Sequence, residues 1–323
     1  MLGIFTIFRK EMEDQFSSIR FLLIFALIAM VGVIVASMVG MAIQDELKGM
    51  AKPTLIFLML FTSTGKLFSF TQFIGFFGPL IGIILGFDVI SRERVARTLS
   101  KLVSQPIYRD SIINAKFLSG VAMITIMLVA IMLLISGLGI RLIGVVPGVE
   151  EILRLFIYLV ITVLYISFWL GVSILFSVVF RSSATSALAS LALWIFFSFF
   201  VSLGAGFLSD AIAPVSQGQS SNNLDVQMVM KNEQIKRAVS LCSPMTLYGD
   251  ATSSILDPMR KTTSSIVLMG PLERLSMSRF ESPLPLLQSL IIVLPYIISL
   301  VAITFVCFGV CYAIFMRQEI RTV

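Results

Sequence analysis

The chain is 323 residues long, 57% hydrophobic and only 13% charged, with a mean hydropathy of +0.99, whereas a soluble domain is about 45–50% apolar. This excludes a water-soluble globular protein. The net charge of +6 reads as Lys and Arg retained at one membrane face rather than as affinity for nucleic acid, because no basic patch with interleaved aromatics lies outside the apolar runs.

The catalytic inventory is thin. Histidine is absent, which removes the commonest general base and the commonest zinc ligand together. There is no HExxH, no GxSxG and no paired-carboxylate motif. Gly65-Lys66 lacks the upstream glycine and the following Ser or Thr of a P-loop, so the chain is expected to bind no ATP, metal or other cofactor of its own. Cys242, Cys307 and Cys311 form no disulfide framework. Cys307 and Cys311, four apart in an apolar run, read as small packing residues. An intramembrane enzyme is disfavoured, since Asp225, Asp250 and Asp257 have no visible partner constellation.

In chain order, residues 1–20 come first as an interfacial helix. Phe5, Phe8, Met12 and Phe16 share one helical face, and Arg9, Lys10, Glu11, Glu13 and Asp14 occupy the rest. Six apolar spans follow, at about Phe21–Ile43, Leu67–Phe87, Phe117–Ile140, Leu155–Phe180, Ala184–Leu208 and Leu286–Met316, each long enough to cross a core of about 30 Å. The sixth carries a kink signal at Pro295. Residues 54–61 (TLIFLMLF) are too short to span; they are expected at the outer surface or as the start of a longer second span. The fold class is therefore an all-α membrane protein.

Lys and Arg concentrate around Arg9–Arg20, Arg92–Lys116, Arg181 and Arg317–Arg321, which puts both termini in the cytoplasm of a multi-pass protein of the cell membrane. Residues 209–284 are then extracytoplasmic. They begin with PVSQGQSSNN, contain a helical stretch at 224–241 and carry turn signals at Gly249-Asp250 and Asp257-Pro258. A small, partly helical cap is expected, either a simple lid or a handle for an extracytoplasmic partner. Residues 285–323 form the last span and a cytoplasmic tail.

As delimited here, no span contains an Asp, Glu, Lys or Arg, which argues against an ion-coupled antiporter and a hydrophilic pore. Small residues recur every four positions, as Gly32, Ala36 and Gly40 in the first span and Gly78, Gly82 and Gly86 in the second. Each stripe permits close backbone approach, either to another helix of the same chain or to a second copy.

The loop at 88–116 is the densest charged segment. Wound as a helix, residues 91–104 put Val95, Leu99 and Leu102 on one face and Arg94, Arg97 and Lys101 opposite. Ser91 can cap the start, Glu93 and Arg97 form an i,i+4 pair, and Pro106 ends the helix. Two readings compete: a basic helix lying on anionic headgroups, and a rigid peg that enters a groove in a cytoplasmic protein.

The stretch GFDVISRERVARTLSKLVSQPIYRDSIINAKFLSG (86–120) closely resembles the signature of ABC-2 type transporter permeases, with Glu93, Thr98, Leu99, Leu102, Gln105, Pro106, Arg109 and Lys116 at matching positions. Arg97 and Ala115 stand where that family usually has Gly. LCSPMTLYGDAT (241–252) and YAIFMRQEIR (312–321) resemble further segments of the family. The resemblance implies a transmembrane subunit that works as a pair, here expected to be a homodimer, and engages separate ABC ATP-binding subunits carrying ATP and Mg. It implies that the loop between spans two and three is the cytoplasmic coupling helix. Val95, Leu99 and Leu102 are then expected to dock on the ATPase, with Thr98 and Pro106 completing the motif and Glu93, Arg94 and Arg109 setting polar register. The function implied is an ATP-driven exporter permease. The other reading is a mechanical transmitter that moves an extracytoplasmic partner without carrying a solute.

Overall fold

The computed structural model describes residues 2–46, 55–62, 69–96, 108–214, 223–258 and 284–318. Among them every regular element is helical. Helix α1 (Leu2–Phe16) precedes α2 (Ile19–Glu46), a short 3-10 helix (Ile56–Leu60), α3 (Phe70–Gly86) and α4 (Ser91–Val95). Then come α5 (Arg109–Ile143), α6 (Val149–Val179) and α7 (Ser183–Ile195), which continues through a π-helical turn (Phe196–Phe200) into α8 (Val201–Ile212). Finally α9 (Asn223–Ser240), α10 (Pro244–Leu256) and α11 (Leu286–Arg317) complete the chain. Among the described residues six helices are long and apolar enough to cross a membrane, so the protein is a multi-pass, all-α membrane protein.

Local chemistry sets several boundaries. Ser69 and Gln72 cap α3 reciprocally: Ser69 Oγ accepts from the Gln72 amide at 3.0 Å and Gln72 Oε1 from the Ser69 amide at 3.1 Å. Glu151, in the first turn of α6, accepts from the Gly148 amide at 2.8 Å. Gly144 ends α5 at φ 68°, a left-handed conformation that glycine adopts without strain.

Helix α6 is the axis of the bundle and touches α3, α5, α7, α10 and α11. Both glycine stripes serve contacts inside the chain. A Cβ on Gly82 would come within 2.6 Å of the Ile166 carbonyl and 2.7 Å of the Leu170 amide. Gly78 faces Ile166, and Gly86 faces Ser173 and Leu170. In α2, Gly32 faces Ile135 and Gly40 faces Leu142, with Ala36 buried between them. The stripes are therefore seams of α3 with α6 and of α2 with α5, and leave no surface there for a second copy. The fifth and sixth spans lie outermost: only 11% of each is buried, against 72% of the second.

One expectation changes and two segments gain detail. Residues 56–60 form neither the start of α3 nor a surface segment; Phe57 and Phe61 are fully buried, and the Phe57 amide donates to Glu151 at 2.9 Å. The fifth span, Ser183–Ile212, carries a π-helical turn at Phe196–Phe200, where the Phe197 carbonyl accepts from Ser243 Oγ at 3.1 Å. The described part of 209–284 packs against the bundle. Helix α9 folds back along α8, with Asn232 donating to Asp210 and the Ala213 carbonyl. Helix α10 then rises between α3, α6 and α11. Its Tyr248 stacks on Tyr165 of α6 at 4.5 Å, and Tyr165 donates to the Gly75 carbonyl. Helical packing overrides the turn signal at Gly249-Asp250, because Leu247, Tyr248, Ala251 and Ile255 bury one continuous face.

Candidate functional site: a charged junction around α4

The two ends of the bundle can be told apart by their loops. The terminal end holds α1, α4, the start of α5, the end of α6 and the end of α11. The loop end holds the 3-10 helix, the start of α6 and the start of α11.

The terminal end is built around α4. The chain leaves α3 at Gly86 and turns into five helical residues whose first amides need acceptors. Ser91 does not cap them. Instead Ser177 Oγ of α6 accepts from the Ile90 and Ser91 amides, each at 3.0 Å, and Ser91 Oγ lies 2.9 Å from Ser183 Oγ. Just before it, Asp88 takes a charged hydrogen bond from Arg20 of α2 at 2.6 Å, while that guanidinium sits 5.6 Å over the Phe87 ring.

Lys116 sits at the centre. It lies seven residues into α5, and its side chain is 2% exposed. Its ammonium donates to Glu11 of α1 at 2.7 Å and to Glu93 of α4 at 2.8 Å. One cation thus joins three separate elements. Such buried pairs add little net stability, but removing one member leaves charge without compensation. They fix position more than they hold the fold.

A second clamp lies on the far side of α4. Arg94 donates to the Val178 carbonyl at 3.2 Å and to Gln318 Oε1 at 2.8 Å. Arg109 donates to the Gln318 carbonyl at 3.3 Å. Gln318 itself donates to Val178 at 2.9 Å. One residue after α11 therefore grips both ends of the loop.

Glu93, Arg94 and Arg109, expected to set register against a partner, make these contacts within the chain and set the loop's register against its own helices. Val95 is 70% exposed and offers an apolar side chain outward. Thr98, Leu99, Leu102 and Pro106 lie outside the described residues, as does Arg97, the expected partner of Glu93.

Glu11 and Gln318 were not read as site residues. On α1, Ile7 and Glu11 are buried, whereas Phe5 and Phe16 are 69% and 47% exposed. The signal was the 4, 7, 11 spacing of Ile4, Ile7 and Glu11, which puts a carboxylate on the inward face.

The arrangement is a set of ion pairs and hydrogen bonds that ties α4 to its neighbours. It offers no nucleophile with an adjacent base, and among the described residues no group of His, Cys, Asp and Glu could hold a metal ion.

The sequence profile of one family, described as ABC-2 family transporter protein, matches residues 5–320. No curated protein matches the chain. The chain belongs to the ABC-2 transporter family, as a membrane permease subunit of an ABC transporter, and membership implies association with ATP-binding subunits.

Proposed function

We propose, from that membership, that the protein is the permease of an ATP-driven exporter and that α4 with the residues after it is the coupling helix. The terminal end then faces the cytoplasm, in keeping with the clustering of Lys and Arg there. ATP and Mg belong to a separate subunit, and this chain has no catalytic role of its own. Two copies, each bearing one coupling helix, engage the pair of ATPases.

One observation carries this reading. Helix α4 is fastened directly by side chains from α5, α6 and the residue after α11, Lys116 is held in turn by Glu11 of α1, and Asp88 just before α4 is held by Arg20 of α2, while Val95 points out. A push on α4 is delivered to most of the bundle through charged contacts rather than lost in a slack loop. A helix that merely rested on headgroups would need no such fastening.

The test is purification in mild detergent followed by mass spectrometry. A P-loop ATPase should co-purify in stoichiometric amount and be lost in Leu99→Asp, because an unpaired carboxylate would enter an apolar groove at a cost of several kcal/mol. A chain that purifies alone at every salt concentration, or a Leu99→Asp variant with unchanged ATPase binding and activity, returns α4 to the lipid surface.

A second reading is favoured by α10. Because it is packed between α3, α6 and α11, movement of those spans moves α9 and α10 with them. Such a chain could drive an extracytoplasmic partner without carrying a solute. Solute flux in vesicles supports export; capture of a soluble partner by residues 209–284, with no flux, supports transmission.

A further inference from the structure

Helices α9 and α10 form a hairpin, and its turn lies deep among the spans. Ser243, between the two helices, donates from Oγ to the Phe197 carbonyl at 3.1 Å, and Phe197 stands at the middle of Ser183–Ile212. Soon after, Tyr248 stacks on Tyr165 at 4.5 Å, next to the middle of Val149–Val179. The upper ends of the hairpin lie level with the ends of the same spans. Asn232 donates to the Ala213 carbonyl, just past α8, at 2.8 Å, and Arg154, near the start of α6, donates to the Ile255 carbonyl at 3.0 Å. From Asn232 to Ser243 the chain advances about 16 Å at 1.5 Å per residue, half of a core of about 30 Å. The hairpin enters at the loop end and turns back near the middle of the bilayer.

Its outward face differs from those of its neighbours. Helices α8 and α11, against which it packs, expose Phe200, Leu203, Phe207, Ile291 and Ile298, side chains suited to acyl chains. Below Asn232 the exposed residues of α9 and the turn are Gln234, Lys236, Ala238 and Cys242. Gln234, Ala238 and Cys242 follow one another four apart along one side. Lys236 can lift its charge toward the interface along its own stem, but the backbone of the turn cannot move its polar groups in that way. Helix α9 ends at Ser240 and α10 begins at Pro244, so residues 241–243 are non-helical chain at mid-depth. Such backbone is tolerated in a bilayer only where protein buries it or where it lines a water-filled cavity, and Cys242 is exposed. The hairpin itself is anchored on another side, where Arg237 donates to Asp250 at 2.5 Å and to the Tyr296 hydroxyl at 3.1 Å.

From these observations we infer that the outward face of α9 lines a water-filled vestibule, which descends from the loop end to the turn at Cys242 near the middle of the bilayer. The spans keep their centres apolar, and α9 supplies the hydrated lining that they lack. The apolar barrier at that place is reduced to about half of the core. The vestibule is separate from the junction around α4, so it can be read whether or not an ATPase is bound.

Cys242 is its own reporter. The full chain is placed in sealed vesicles, right-side out and inverted, and treated with a charged methanethiosulfonate that does not cross the bilayer. That reagent consumes the thiolate, which forms in water. Modified peptides are identified by mass spectrometry, so the native chain is used and no folding defect can mimic the result. Val146→Cys marks the side of the loop end, since Val146 is 76% exposed there. Cys242 should be modified from that side only, at a rate within about tenfold of Val146→Cys, which corresponds to about 1.4 kcal/mol in the barrier. Phe200→Cys, at the depth of the turn but on the exposed apolar face of the fifth span, should react slower than Cys242 by about tenfold or more. Modification of Cys242 only by a lipid-soluble maleimide puts the turn among acyl chains and overturns the vestibule. Modification by neither reagent puts a second copy or another segment of the chain over the turn and overturns it too, as does reaction from the opposite side alone. None of these results bears on whether an ATPase co-purifies, so the coupling reading stands or falls separately.

Discussion

The two ends of the bundle each bury a cation, and they use it differently. At the terminal end Lys116 is shared between Glu11 and Glu93, carboxylates on two short helices. At the loop end Arg154, 0% exposed, donates to the backbone carbonyls of Ile255 at 3.0 Å and Leu284 at 2.6 Å, to Ser289 Oγ at 3.2 Å and to Glu150. The ammonium is a compact charge that tolerates small changes in direction; the guanidinium is a planar fork with fixed donors. Side chains that meet other side chains can shift together, whereas a fork on backbone carbonyls pins the chain. The difference teaches that the terminal end joins separate helices through side chains that can shift, whereas the loop end pins the end of α10 and the start of α11 by their backbone.

The largest effect that would break this contrast is expected at Lys116. Lys116→Met takes the buried ammonium away from both Glu11 and Glu93, and the unfolding free energy in detergent should fall by about 3–5 kcal/mol. Adding Glu11→Gln and Glu93→Gln should recover most of that loss. If the triple variant is as unstable as the single one, Lys116 is a packing residue and not a shared charge. Arg154→Met comes next, at about 2–4 kcal/mol, because it orphans two buried carbonyls and a hydroxyl. Glu150 is 46% exposed, so Glu150→Gln should cost under about 1 kcal/mol; a larger loss would mean that the clasp depends on charge and not on the fork.

Gly82→Val tests the seam that both ends share. Its Cβ would press on the backbone of α6, and a loss of about 1–3 kcal/mol is expected, measured in the same unfolding experiment. The smallest stability effect belongs to Val95→Asp, within about 0.5 kcal/mol because the side chain is exposed. That variant should nevertheless lose ATPase binding in a pull-down. Retained binding would remove Val95 from the docking face.

The spans were legible because each is a long apolar run with charges at its ends. The signature loop was legible because its charge pattern and Gln105-Pro106 are local. What escaped was non-local. The sequence places Glu11 in a polar stripe and Lys116 at a span boundary, 105 residues apart, and no periodicity joins them. Glu93 and Arg94 looked outward for the same reason: their acceptors and donors lie on α5, α6 and beyond α11. Helix α10 was hidden by Gly249-Asp250, a turn signal by local chemistry that tertiary packing overrode. The π turn at Phe196 has no sequence mark; it was visible only once Ser243 was seen to take its carbonyl.

Gln318 gives the order of assembly a direction. It fastens Arg94 and Arg109, yet it emerges from the ribosome 209 residues after Arg109, roughly 10–40 s later at about 5–20 residues per second. The loop around α4 is therefore fastened last, after all six spans have been made. A nascent or truncated permease displays an unfastened loop, and a chain cut before Gln318 should insert in the membrane but recruit its ATPase poorly in a pull-down. On the proposed reading the tail thus acts as a timestamp, the complex forming only on finished subunits.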